Sequence, residues 1–158
     1  MATEKQYLFF KSVYDEETAR QASLQDRAKY YLSIITLYSA FILFVAEKLK
    51  PTNITLKVVF VAAVGSMLVA FLYSLWSIKI SDYEAPSDPN EIIDGFQTAP
   101  PTDEDFFDDR IIDYAVAYER NSAVNDSKAN QLSVAGYWML VGLTAHALYF
   151  TVRLVLLP

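Results

Sequence analysis

Tyr114, Tyr118, Asn121, Asn125, Lys128, Leu132, Ala135, Met139, Gly142, His146, Tyr149 and Arg153 follow one another at spacings of four and three. A seven-residue repeat of this kind puts them on one face of a helix coiled against a neighbour. Leu and Ile are the ordinary seam residues in water, yet the first five here are phenol, amide and ammonium groups. Polar groups at such positions cost stability and fix register or oligomeric state. Two readings stay open. The face is either solvated, with accidental periodicity, or it is a polar interior shared between helices or subunits, suited to recognising an anion or a nucleotide. In the second reading Lys128, Arg120 and Arg20 contact the anion, while Asn121 and Asn125 supply amide recognition.

A shift of one hundred residues superposes Tyr14 on Tyr114, Arg20 on Arg120, Gln25 on Asn125 and Asp26 on Asp126, and then Leu32-Ser33 on Leu132-Ser133. Each polar run enters an apolar stretch at the same point, as a degenerate repeat would. Two such helices side by side would gather Arg20, Arg27, Lys29, Arg120, Asn121, Asn125 and Lys128 into one ligand-binding neighbourhood.

Other chemistry is sparse. There is no cysteine, and the single histidine, His146, leaves a histidine-based metal site without partners. His146 falls in an apolar stretch, where an ionisable group suggests a proton relay or pore lining; near the far end of that stretch it can instead reach the interface. The acids of residues 103–109 lack the loop glycine of a calcium site and read as a helix start. No phosphate-binding glycine loop, serine elbow or spaced carboxylate pair is present. The expectation is a non-enzymatic protein with no cofactor and no metal.

The elements that must position these residues are set by hydropathy. Residues 30–46, 58–78 and 132–152 form three uncharged apolar stretches near the roughly 20 residues needed to cross a bilayer core. Residues 1–29 are expected to form a polar N-terminal helix, of which 16–29, with no Gly or Pro, run as one helix into the first span. Pro51 stops that helix. Asn53-Ile-Thr55 matches a glycosylation sequon by chance. In the second span Ala62, Ser66 and Ala70, with Gly65 beside them, read either as a small-residue stripe for helix packing or as the ordinary abundance of alanine in membrane helices. Residues 79–101 are an acidic, proline-rich loop with one helical turn expected near 91–94. Thr102 then caps a helix whose outer part covers 102–131 and which continues to about residue 156, roughly 80 Å in all. The fold class is an all-α integral membrane protein of three transmembrane helices with long juxtamembrane helical extensions.

Net charge is −6, and residues 79–131 hold 13 of the 19 acidic side chains against four basic ones. Such a segment repels nucleic acid, so none is expected as a partner. It suits a basic soluble protein partner instead, as in an accessory subunit of a larger membrane complex. Six basic residues flank the spans on the N-terminal side and four on the other, which leans towards a cytoplasmic N-terminus. The lipid bilayer and further copies of the chain are the remaining expected partners.

The run 119–132, ERNSAVNDSKANQL, leads directly into a span, and 20–29, RQASLQDRAK, does the same. Both resemble the helices that flank the spans of small bacterial defence proteins, the SLATT and Pycsar transmembrane effectors. The positions that carry the resemblance are Asp26, Ala28, Asn121, Asn125 and Lys128. The first run departs from the pattern, with Arg27 and Lys29 around Ala28 in place of a Lys-Ala pair. The resemblance covers nearly the whole chain. It implies a membrane effector of antiphage defence in the bacterial inner membrane, triggered by a cyclic nucleotide or other nucleotide signal or by a partner, which oligomerises and permeabilises the bilayer.

Overall fold

The computed structural model describes residues 3–48, 51, 53–79, 83–87 and 102–156, and the described residues are helical apart from short connectors. Helix α1 spans Glu4–Lys48, α2 Ile54–Ile78 and α3 Asp103–Thr151, with a π-helical turn over Val152–Leu156. All three are long and apolar enough to cross a membrane.

Local chemistry sets each start. Thr3 and Gln6 form a reciprocal cap: the Thr3 amide donates to Gln6 Oε1 at 2.9 Å, and the Gln6 amide donates to Thr3 Oγ1 at 3.4 Å. From Glu4 onwards no Gly or Pro interrupts α1 for 45 residues, so the helix begins well before residue 16. Asn53 caps α2, its side chain accepting from the Leu56 amide at 2.8 Å, which gives the residue a structural role irrespective of the sequon. Thr102 Oγ1 accepts from the Asp105 amide at 3.2 Å, and Asp103, Glu104 and Asp105 place negative charge at the positive end of the α3 dipole. The expected turn near residues 91–94 lies outside the described residues.

The chain divides into two compact units. The first takes residues 1–23 and 80–127. In it the start of α1 lies parallel to the start of α3, because Tyr7 meets Phe107 and Tyr114, and Tyr14 meets Tyr114. Its interior is unusual in being polar: Glu17, Arg110, Asn121 and Asn125 are buried there beside Ala117.

The second unit takes residues 24–79 and 128–158. It is a three-helix bundle in which α2 runs antiparallel to the other two. Leu24, Ala28 and Leu132 form one apolar cluster with Ile78 against it; Ile35, Met67 and Ala70 form another with Trp138, Met139 and Leu143. Helix contact is close at Gly142, where an added Cβ would lie 2.9 Å from Met67 Cγ and 3.2 Å from the Ala63 carbonyl oxygen. The outward faces carry Leu37, Leu43, Val61, Leu68, Leu140 and Leu148, all exposed, so the bundle presents an apolar surface.

Candidate functional site

The buried residues of α3 are Arg110, Ala117, Asn121, Asn125, Lys128, Leu132, Ala135, Gly142, His146 and Tyr149, separated by threes, fours and sevens. The heptad face is therefore interior, and the solvated alternative falls away for Asn121, Asn125 and Lys128. Tyr118 is exposed, and Tyr114 is partly buried.

In the first unit Asn125 is the centre of a hydrogen-bonded group. It is fully buried, and its Nδ2 donates to the Glu17 carbonyl at 3.0 Å and to Glu17 Oε1 at 2.8 Å. Arg20 also reaches Glu17 Oε1, at 3.2 Å, and donates to Asp126 Oδ1 at 2.6 Å. The Asp126 hydrogen bond, opposed by some desolvation, raises the Arg20 pKa further above its ordinary value. Asn125 Oδ1 is buried and has no hydrogen-bond partner among the described residues. A buried acceptor in that condition costs about 1–3 kcal/mol, so the group is not at its electrostatic optimum.

A second set of bonds straps the extended segment 83–87 along α3. Asn121, also fully buried, uses both ends of its amide on one residue: Oδ1 accepts from the Glu84 amide at 2.9 Å, and Nδ2 donates to the Glu84 carbonyl at 2.8 Å. Arg120 pairs with the Glu84 carboxylate, which raises the arginine's pKa. Further along, Arg110 donates to Asp113 at 2.7 Å and to the Ser87 carbonyl at 3.3 Å, and Ser87 donates to Asp113 at 2.8 Å. Tyr83 reaches Thr18 of α1 at 3.4 Å, and burial pushes its phenol up.

In the second unit Lys128 is 5% exposed with no carboxylate partner among the described residues, and burial pushes its ammonium below the ordinary lysine value. Arg27 is exposed, and Lys29 is exposed and paired with Asp26 at 3.1 Å. His146 is 1% exposed, ringed by Tyr38, Phe60 and Phe150 at centroid distances of 5.6, 5.4 and 6.2 Å. The imidazole is enclosed rather than directed to the helix end. Of the α2 stripe, Ser66 and Ala70 are buried, whereas Ala62 and Gly65 face outwards, with nothing near an added Cβ at Gly65. Strict four-residue spacing turns about 40° per step around a helix. It therefore drifts across the contact face, which is carried by Leu56, Ala63, Met67, Ala70, Ser74 and Ser77.

Of the predicted ligand-binding residues, Arg20, Arg120, Asn121 and Asn125 belong to the first unit, and Arg27, Lys29 and Lys128 to the second. Arg20 and Arg120 are both paired with carboxylates. An incoming anion must displace Asp126 from Arg20 or Glu84 from Arg120. Sequence reasoning missed Glu17, Tyr83 and Glu84; the one signal for Glu17 was a carboxylate seven residues before Leu24 on the apolar repeat of α1. Among the described residues no cluster of His, Asp or Glu could hold a metal ion. Comparison with protein-family models, curated proteins and solved structures finds no match to this chain.

Proposed function

We propose that the protein is a membrane effector of a bacterial antiphage defence system, held in the inner membrane with its N-terminus in the cytoplasm. A nucleotide signal or a protein partner acts on the polar face of α3, and the chain then assembles as a homo-oligomer that permeabilises the bilayer. The observation that carries the reading is the burial of Asn121, Asn125 and Lys128 on a helix that continues without a break into the third apolar stretch. Such residues weaken a helix interface compared with apolar ones, so their retention favours a role in choosing between packings. A ligand shifts that choice only through a difference in affinity for the two. A phosphate that binds Arg120 in place of Glu84 supplies this difference, because it removes one of the contacts holding segment 83–87 on α3.

Expression of the full chain alone in bacteria under a tight promoter, with growth and membrane potential followed after induction, tests the proposal. Depolarisation and growth arrest by the wild type, and neither by an Arg120→Ala, Lys128→Ala variant present in the membrane at equal amount, support it. Arrest by both chains removes the polar face from the mechanism. If neither chain harms the cell, even with a cyclic nucleotide synthase supplied in trans, the effector reading fails in favour of an accessory subunit docked through its acidic segment.

A further inference from the structure

The first unit leaves one apolar patch uncovered on each of its helices. On α1 it is Leu8 and Phe9, 52% and 61% exposed; on α3 it is Ile112 and Val116, 62% and 39% exposed. Tyr7 and Tyr114 meet where the two helices touch. At 3.6 residues per turn Phe9 points about 160° away from Tyr7, and Ile112 and Val116 point as far away from Tyr114. The patches therefore lie on opposite sides of the helix pair and do not cover each other. They are level along it. Asn125 bonds to Glu17 and Arg20 to Asp126, at separations of 108 and 106 residues, which sets Phe9 level with residues 115–117 of α3 and Lys5 with 111–113. Charge follows the same division. Lys5 is exposed one turn before Phe9, and Asp105, Asp108 and Asp109 are exposed within two turns before Ile112. Neither Lys5 nor Asp108 has an ion-pair partner among the described residues.

We infer that copies of this chain associate head to tail, the Lys5–Phe9 face of α1 in one copy seated on the Asp108–Val116 face of α3 in the next. The inference rests on the homo-oligomer proposed above and names its contact. Copies set side by side with their helices parallel bring the two faces together without sliding. Phe9 then meets Ile112 and Val116, and Lys5 comes within reach of Asp108 or Asp109. Pairing of like faces is disfavoured, because α3 on α3 sets three carboxylates against three and α1 on α1 sets lysine against lysine. A basic partner of another kind covers the α3 face and leaves Phe9 in water. Among contacts between copies, the head-to-tail one covers both patches together, and it closes into a ring where the rotation permits. The contact is small, but confinement in one bilayer lowers the orientational cost of making it. Both faces are open while segment 83–87 lies on α3, so the copies meet before any signal arrives.

The chain has no cysteine, so introduced thiols report without background. Two differently tagged full chains are co-expressed in bacteria, one with Phe9→Cys and the other with Val116→Cys, and the membranes are treated with a short bis-maleimide. A mixed cross-linked pair is expected, with neither single variant cross-linking to itself. Adding Ile112→Ser to the second chain is expected to lower the mixed yield about fivefold. All three substituted side chains are exposed, and the tags report that each chain is present in the membrane at equal amount. Absence of the mixed pair overturns the proposal; cover of either face by residues 88–101 of the same chain or by another protein gives that result. Cross-linking of Phe9→Cys to itself overturns it in favour of a two-fold contact, and a yield unchanged by Ile112→Ser overturns it as chance collision. Membrane potential is followed in cells expressing the wild type with a cyclic nucleotide synthase. Cross-linking without depolarisation keeps the contact and removes the effector reading, and depolarisation without cross-linking does the reverse.

Discussion

Tyr14 and Tyr114, one hundred residues apart in the chain, lie ring against ring in the first unit, with centroids 5.5 Å apart and planes inclined at 56°. Tyr7 closes on the same phenol at 5.8 Å. Tyr14 and Tyr114 are equivalent repeat positions that touch, but further along Arg20 meets Asp126 rather than Arg120, and Leu132 packs with Leu24 and Ala28 rather than Leu32.

Burial, followed by the neighbouring Tyr7 hydroxyl, pushes the Tyr114 phenol up to about 12 from 10.0. A phenol held neutral in this way stabilises the fold fully below pH 10 and loses that contribution as pH rises towards 12. Each unit is worth about 1.4 kcal/mol, and the partly exposed ring reduces the total to about 1 kcal/mol. Lys128 acts oppositely, since the cost of burying its charge is relieved as pH rises towards 10.5. Thermal unfolding in detergent at pH 9 and pH 11.5 is expected to show a larger alkaline loss for the wild type than for Tyr114→Phe. An equal loss would locate the titration elsewhere.

Asn125→Asp places a second carboxylate against the buried Glu17 and removes both Nδ2 donors. A destabilisation of roughly 3 kcal/mol is expected at pH 7. Protonation relieves the repulsion, so the deficit should shrink by pH 4.5. A deficit that does not change with pH would mean that the lost donors, not the repulsion, account for it.

Asn121→Ala deletes the two bonds that hold the Glu84 backbone to α3. Hydrogen exchange at the Glu84 amide is expected to accelerate by ten- to a hundredfold, about 1.4–2.8 kcal/mol, while amides deep in the second unit keep their rates. Unchanged exchange at Glu84 would assign the segment's attachment to Arg110 and Arg120.

The glycines of the bundle differ in what a methyl group would meet. Gly142→Ala forces Met67 and the Ala63 backbone to move and is expected to cost about 1–3 kcal/mol. Gly65→Ala meets open space and gains up to about 1 kcal/mol of helix propensity. Equilibrium unfolding of the two variants in mixed micelles separates the effects by sign.

The three long apolar helices and the cap at Thr102 were legible because hydropathy and capping act over a few neighbouring residues. The polar face of α3 was legible as a pattern, since heptad spacing marks a contact whatever its chemistry. Its burial was not, because Asn121 is covered by Glu84 and Asn125 by Glu17, partners that no periodicity links to them. The cap that opens α1 went unread although Thr3-x-x-Gln6 is a capping pair. On α2 the four-residue stripe shares only Ser66 and Ala70 with the contact face inside the chain, which follows the seven-residue turn of the bundle.

Ser66, Ser74 and Ser77 sit on the buried face of α2, yet each hydroxyl donates to a carbonyl of its own helix: Ala62, Ala70 and Ser74 respectively, all at 2.9 Å. These hydroxyls therefore make no claim on α1 or α3. Among the described residues no side-chain hydrogen bond ties α2 to α1 or α3, and side-chain packing holds it in the bundle.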